Sequence, residues 1–337
     1  MCQNKNNTSV LINTTLLLII ILLPFCYSHS AMAKKPNPEI KTFINKMVKK
    51  HGFNKDSLNK IFNKIKIKHN IIKTISRPST SKQWYEYHPT FVNKNRISKG
   101  VTFWEDNAKT LERAKKEFGV PEEIITALIG VETYYGKQKG RHLVLDALVT
   151  LAFNYSKRAN FFRDELEQYL LLTREQDSDI FTTKGSYAGA IGIPQFMPSS
   201  YRNYAVDFDN DGKIDLLEST ADSIGSIANY LSAHGWEIDG PTISKAEINN
   251  SGRHESLKMK RMPLYTVKKL REFGITTSRD ILDNRKATLI KLNNKDYTES
   301  WLGFNNFYVI TRYNHSTYYA MSVLFLSEKI RALRDKK

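Results

Sequence analysis

The strongest constraint on the fold lies in residues 120–136. Val120-Pro121-Glu122-Glu123 opens a helix, with proline where the first turn tolerates it and acids where the helix dipole favours them. Gly136 supplies a stop. Between these signals Ile125, Leu128, Ile129 and Glu132 fall at offsets of 0, 3, 4 and 7 and so share one face. Such a stripe belongs against a core, and it draws a carboxyl in with the apolar side chains. Desolvation raises a carboxyl's pKa, and an acid still protonated near neutral pH can donate its proton. An ordinary, partly exposed glutamate near a helix end is the competing reading, and the helix alone does not choose.

The chain of 337 residues is 41% hydrophobic and 25% charged, enough for a sizeable core and two or three packed lobes. Residues 36–118 read as helical, with Ile40, Phe43, Ile44, Met47 and Val48 at helical spacing. Residues 77–81 read as a loop, and the aromatic stretch 84–104 leads into the next lobe. Strong helices alternate with Gly/Pro-rich loops over 119–235. From 237 to 300 short strand-like segments such as 287–292 appear, and 307–333 is helical again. The pattern predicts a mainly α (α+β) protein. We divide it into a leader (1–33), an N-terminal helical lobe (34–118), a core (119–236), a small β-containing insertion (237–300) and a return to the core (301–337).

Residues 16–25 are an apolar run of ten, followed by Ala31-Met32-Ala33 and Lys34. A bilayer span needs about 20 residues, so the run suits a secretory signal cleaved after Ala33. Lipidation at Cys26 is a second reading, although bulky Phe25 precedes it, and an uncleaved N-terminal anchor is a third. All three predict export to the periplasm, the last two with the protein held at the membrane. The two cysteines, Cys2 and Cys26, both lie in this leader, so a chain cleaved after Ala33 has neither a disulfide nor a thiol nucleophile. The net charge of +17 favours a polyanionic partner. Nucleic acid rests on charge alone, and export argues against it.

Residues 207–218, DFDNDGKIDLLE, match the EF-hand loop pattern. Carboxylates of Asp207, Asp209, Asp211, Asp215 and Glu218 stand at ligand positions, the Lys213 carbonyl falls at the seventh, and Gly212 at the sharp turn. This oxygen-rich set predicts a structural Ca²⁺. The alternative is a solvated acidic turn, whose acids would repel one another without a cation. A calcium sensor is disfavoured, because sensor hands come in pairs and one loop is visible.

Residues 127–136, ALIGVETYYG, together with 145–148 (LDAL), 151–155 (LAFNY), 185–201 (GSYAGAIGIPQFMPSSY) and 310–321 (ITRYNHSTYYAM), resemble the membrane-bound lytic murein transglycosylase B family. The resemblance covers most of the chain after the leader and is weakest before residue 84 and between 237 and 300. It implies a lysozyme-like core and a peptidoglycan substrate, with the MurNAc-β-1,4-GlcNAc bond cut to leave 1,6-anhydro-MurNAc ends. Glu132 resembles the family's single acid and base. Ser186, Gln195, Phe196, Tyr230, Tyr313, Asn314 and Tyr319 match positions lining its sugar groove. Arg158 matches a basic residue near the peptide-bearing sugar. Lys157, beside it, stands where a close relative has arginine, so a bidentate carboxylate grip is lost there. The family's closing calcium ligand can come later in the chain, which sets Asp222 against Glu218. Glycosidases ordinarily need two carboxylates. One suffices when the sugar's own C6 hydroxyl replaces water. A hydrolytic muramidase using the same glutamate, and a non-catalytic wall-binding scaffold, are the remaining readings. Core packing for the aromatics and turn or cap duty for Ser186 and Gln195 are the plain alternatives. Asp146 and Asp164 are read as structural.

Overall fold

The computed structural model describes residues 37–336 apart from 78–81, 250–252, 258–259 and 278–279. The leader, with its cleavage site, Cys2 and Cys26, lies outside the described residues, as does most of the loop expected at 77–81.

The N-terminal part is helical: α1 (Pro38–His51), α2 (Lys55–Lys64), α3 (His69–Ile75), α4 (Trp84–Phe91), α5 (Lys94–Asp106) and α6 (Ala108–Phe118). Asn37, Asn54 and Asn93 start α1, α2 and α5 by accepting hydrogen bonds from first-turn amides. Gly52 and Gly119, both left-handed, stop α1 and α6. The remaining elements are α7 (Glu122–Thr133), β1 (His142–Leu143), α8 (Val144–Asn154), α9 (Ala159–Glu175), β2 (Lys184–Gly185), α10 (Pro198–Tyr204), α11 (Thr220–Ala233), β3 (Ile243–Ile248), β4 (Tyr265–Thr266), α12 (Val267–Glu272), β5 (Ile275–Thr277), β6 (Lys286–Asn293), β7 (Thr298–Gly303), α13 (Asn305–Tyr313) and α14 (Thr317–Arg334).

One hydrophobic cluster runs from Phe43 and Met47 of α1 through α7, α8, α9 and α11 to α14. Phe43 packs edge-on against Phe62 and Phe153, at centroid distances of 6.0 and 5.8 Å, and so ties the first two helices to α8. Buried Glu167 on α9 draws Lys46, Lys50 and His51 to within 2.6–2.8 Å. Burial alone would raise the Glu167 carboxyl, but those three partners outweigh it and hold its pKa at about 2.

The short strands predicted between 237 and 300 form one sheet, in the order β4-β6-β7-β3-β5, with every pair antiparallel. A second cluster of Ala246, Val267, Leu270, Ile275, Ala287, Leu289, Leu302 and Phe304 packs beneath it.

Helix α7 is the axis of the core. Its apolar spacing predicts one buried face, yet nearly every residue is buried, because α5, α6, α11 and α14 pack around it. Only Glu122 and Glu132 of its twelve residues keep intermediate exposure.

Candidate functional site

Glu132 sits in the last turn of α7. The helix ends at Thr133, three residues before the predicted Gly136 stop, and Tyr134, Tyr135 and Gly136 all adopt left-handed backbone with φ of 53°, 61° and 79°. Left-handed conformations are costly for residues with a Cβ, so surrounding contacts must fix them. The amides of Tyr134 and Tyr135 close the helix on the carbonyls of Gly130 and Ile129. The Tyr135 hydroxyl donates to the Arg96 carbonyl at 2.7 Å. A Cβ on Gly130 or Gly100 would lie 2.6 Å from that hydroxyl, so both glycines make room for it. Thr133 Oγ1 accepts from Gly136 N at 3.0 Å and donates to the Ile193 carbonyl at 2.9 Å.

Protein atoms crowd the Glu132 carboxyl, and desolvation lifts its pKa from 4.5 to about 7 against the opposing effect of a hydrogen bond from Tyr319. Its place at a helix C-terminus, the negative end of the dipole, works in the same direction as the burial. The Tyr319 hydroxyl donates to Glu132 Oε1. Burial and the neighbouring Glu132 charge keep the phenols of Tyr319 and Tyr313 protonated well above their ordinary range.

Among the residues carried over from the resemblance, the structure joins Tyr319 to the carboxyl directly. Phe196, Tyr230 and Tyr313 form a triangle of rings with centroids 5.0–5.7 Å apart. Tyr230 donates to the Arg312 carbonyl at 2.8 Å and Tyr313 to that of Pro194. Ser186 and Gln195 lie on the strap between β2 and α10. Ser186 Oγ accepts from the amides of Ala188 and Ala190, at 3.2 and 3.0 Å. Gln195 has left-handed backbone and donates through Nε2 to the carbonyls of Lys139 and Gly192, at 3.1 and 2.8 Å. Thr133 and Tyr313 pin this strap to the end of α7 and to α13. Asn314 is exposed between α13 and α14, and Arg158 is exposed with its guanidinium 4.2 Å from the Phe161 ring centre.

Tyr87 was absent from the predicted site. Burial, and after it the Glu132 charge, push its phenol up to about 12, so Tyr87 lies within the electrostatic reach of the carboxyl. Trp84, Tyr87 and Phe91 recur at helical spacing in the aromatic stretch, and that periodicity was the available signal.

Residues 205–219 connect α10 to α11. Carboxylate oxygens of Asp207, Asp209 and Asp211 approach within 4.8 Å of one another. Asn210 and Gly212 turn the loop with φ of 62° and 88°. Asp215 accepts from the amides of Leu217 and Glu218, while Glu218 pairs with Lys139 Nζ at 2.7 Å. Asp222 is buried in α11, and its two oxygens accept from Phe208 N and Asp215 N, each at 2.7 Å. The amide of Ile193 on the strap donates to the Leu216 carbonyl at 2.8 Å, a direct tie between loop and site.

The chain resembles known proteins over most of its length. It is 40% identical over 308 residues to membrane-bound lytic murein transglycosylase B of Escherichia coli (strain K12), covering 88% of this chain and 84% of the relative. Its fold matches soluble lytic transglycosylase SltB1 from Pseudomonas aeruginosa with a TM-score of 0.83 at 45% identity, over 88% of this chain and all of the other. It matches Escherichia coli lytic transglycosylase Slt35, solved in complex with calcium, with a TM-score of 0.81 at 39% identity, over 89% and 94% of the two chains. The model of the transglycosylase SLT domain spans residues 35–328, and the chain belongs to that family.

Proposed function

We propose that this protein, a peptidoglycan lytic transglycosylase, works through one carboxyl, Glu132, acting as acid and then as base. The observation that carries the reading is the Glu132 carboxyl itself, raised to about 7 and held by the Tyr319 hydroxyl. Protonated Glu132 gives its proton to the oxygen linking MurNAc C1 to the next GlcNAc, and the C1–O bond breaks. The C6 hydroxyl of the same MurNAc then attacks C1. Its proton passes to the Glu132 carboxylate, so the acid is regenerated and a 1,6-anhydro ring closes. No water is consumed, which removes the need for a second carboxylate. Electron-rich groups of the substrate's own 2-acetamido function can stabilise the charge at C1 between the two steps. We assign Tyr319, Tyr313 and the strap residues Ser186 and Gln195 to positioning the acid and the acetamido group, and Phe196, Tyr230 and Asn314 to the sugar-facing wall. Arg158 is assigned to the peptide-bearing sugar.

The three converging aspartates fit a divalent cation, whose charge would relieve the repulsion among acids held this close. Asp207, Asp209, Asp211 and the Lys213 carbonyl would hold Ca²⁺. Bound there, the ion would supply structural cross-linking only, stiffening the loop that anchors the strap through Leu216. Asp222 suits the closing role better than Glu218, because it already gathers two loop amides while Glu218 turns out to Lys139.

We further read residues 1–33 as an export signal, so that the enzyme works in the periplasm, and 237–300 as an insertion into the catalytic core. No described helix is long and apolar enough to cross a membrane.

The test is mass spectrometry of soluble products from purified peptidoglycan, comparing the protein with Glu132→Gln. Products ending in 1,6-anhydro-MurNAc, lost in the variant, are expected. Reducing ends heavier by one water would make it a hydrolytic muramidase. Sacculus binding with no product from either protein would leave a scaffold.

A further inference from the structure

Arg96 stands in the first turn of α5, where the helix dipole favours acids and a cation has no local purpose. Its guanidinium lies 5.4 Å from the Phe91 ring centre and 4.9 Å from that of Tyr134, two residues beyond Glu132. Within the described residues Nε and Nη1 are shut off from solvent without a hydrogen-bond partner, which leaves Nη2 as the open edge. Burial lowers its pKa, and the groups opposing that are the hydroxyls of Tyr135 and Tyr134 and no carboxylate. Lys99, one turn along α5, brings a second cation to the same ring, 4.2 Å from its centre. Two cations on one tyrosine, with no acid between them, repel each other and raise the local potential. Tyr134 caps α7 two residues after Glu132, so the two cations gather beside the end of the helix that carries the carboxyl.

We propose that Arg96 and Lys99 form an anion-receiving corner that takes a carboxylate of the stem peptide carried by the substrate's muramyl sugar, and so set a preference for peptide-bearing strands. This rests on the transglycosylase reading above. A guanidinium clamped between two rings has its rotamers fixed before the ligand arrives, so little side-chain entropy is lost when its free edge meets a carboxylate. The corner is separate from Arg158, which lies on a different element and stacks on Phe161. Arg96 and Lys99 are specificity residues, and the proton transfers at Glu132 do not pass through them.

The experiment compares wild type, Arg96→Gln, Arg96→Lys and Lys99→Gln on two substrates: glycan strands bearing stem peptides, and the same strands stripped of peptide by an amidase. Release of 1,6-anhydro products is followed to give KM and kcat for each. Arg96→Gln is expected to raise KM about tenfold on peptide-bearing strands and to leave stripped strands within about twofold. Lys99→Gln, an exposed position that keeps the fold, is expected to act in the same substrate-selective way by about threefold. Arg96→Lys should recover part of the loss. An equal loss on both substrates would make Arg96 a prop for Tyr134 and overturn the proposal, as would unchanged KM on both. A wild type that releases no anhydro product from either substrate would instead overturn the underlying reading.

Discussion

The hydroxyl of Tyr319 donates to Oε1 of Glu132 across 187 positions of sequence, joining the first turn of α14 to the last turn of α7. The contact holds the carboxyl in place and partly offsets the desolvation that lifts it.

Replacing Glu132 by glutamine should abolish product release, a loss of at least about 100-fold for a lost general acid. It should also stabilise the fold at alkaline pH. The folded-state pKa of about 7 lies above the unfolded 4.5, so the native state binds more protons in that window and stability falls as pH rises through it. The carboxyl is not wholly closed off, so we discount the full shift to about 1–3 kcal/mol. Melting curves should place Glu132→Gln above wild type at pH 8 and bring the two together by pH 4. Parallel curves at both pH values would contradict the raised pKa.

Tyr319→Phe removes the one interaction that lowers the Glu132 pKa, so that pKa should climb further. The wild-type rate should decline as pH rises through about 7, because the protonated acid is then lost. In Tyr319→Phe the same decline should move upward by about one pH unit. A pH profile of kcat/KM measures it, and an unmoved alkaline limb would assign the phenol to packing alone.

Calcium added to chelator-treated protein should raise the melting temperature by several degrees, since a ligand present at 100 times its Kd stabilises by about 2.7 kcal/mol. Asp209→Asn should blunt that rise. Asp222→Asn should lower the melting temperature even without metal, because its oxygens also hold Phe208 N and Asp215 N. Glu218→Gln, whose contact is a largely exposed pair with Lys139, should change little. A melting temperature indifferent to calcium would return the loop to a solvated acidic turn.

Gly130→Ala should destabilise the protein although alanine is the better helix former. Its Cβ would lie within 2.6–2.8 Å of the Tyr135 hydroxyl and ring, forcing the side chain off its bond to Arg96. We expect a loss of about 2–4 kcal/mol by thermal or chemical unfolding. Tyr135→Phe, which deletes only the hydroxyl, should cost about 1 kcal/mol.

Much of this was legible beforehand. The apolar spacing of Ile125, Leu128 and Ile129 marked a face that is buried, with Glu132 half-buried at its end, and the acid spacing of 207–218 delivered three converging aspartates. What periodicity could not give was the company a helix keeps. One apolar stripe cannot reveal that four other helices enclose α7, nor that the helix ends on two left-handed tyrosines and not on Gly136. Those tyrosines are held by tertiary contacts, to Gly130, Gly100 and Arg96, that local propensity does not encode. Tyr87 was missed for the same reason: its link to Glu132 exists only once α4 docks on α14. Asp222 and Glu218 were visible as a choice of two; Asp222 is buried and holds two backbone amides, a contact that sequence spacing does not encode.

The partnership of α7 with α14 also bears on when the enzyme becomes dangerous. Glu132 emerges from synthesis 187 residues ahead of the phenol that tunes it. A nascent or interrupted chain therefore carries the acid without its regulator and without the helix that shields it from water. Such a carboxyl titrates as an ordinary glutamate and is ionised near neutral pH. On the acid–base role proposed above, the carboxyl thus acquires its tuned proton only once α14 has docked beside α7.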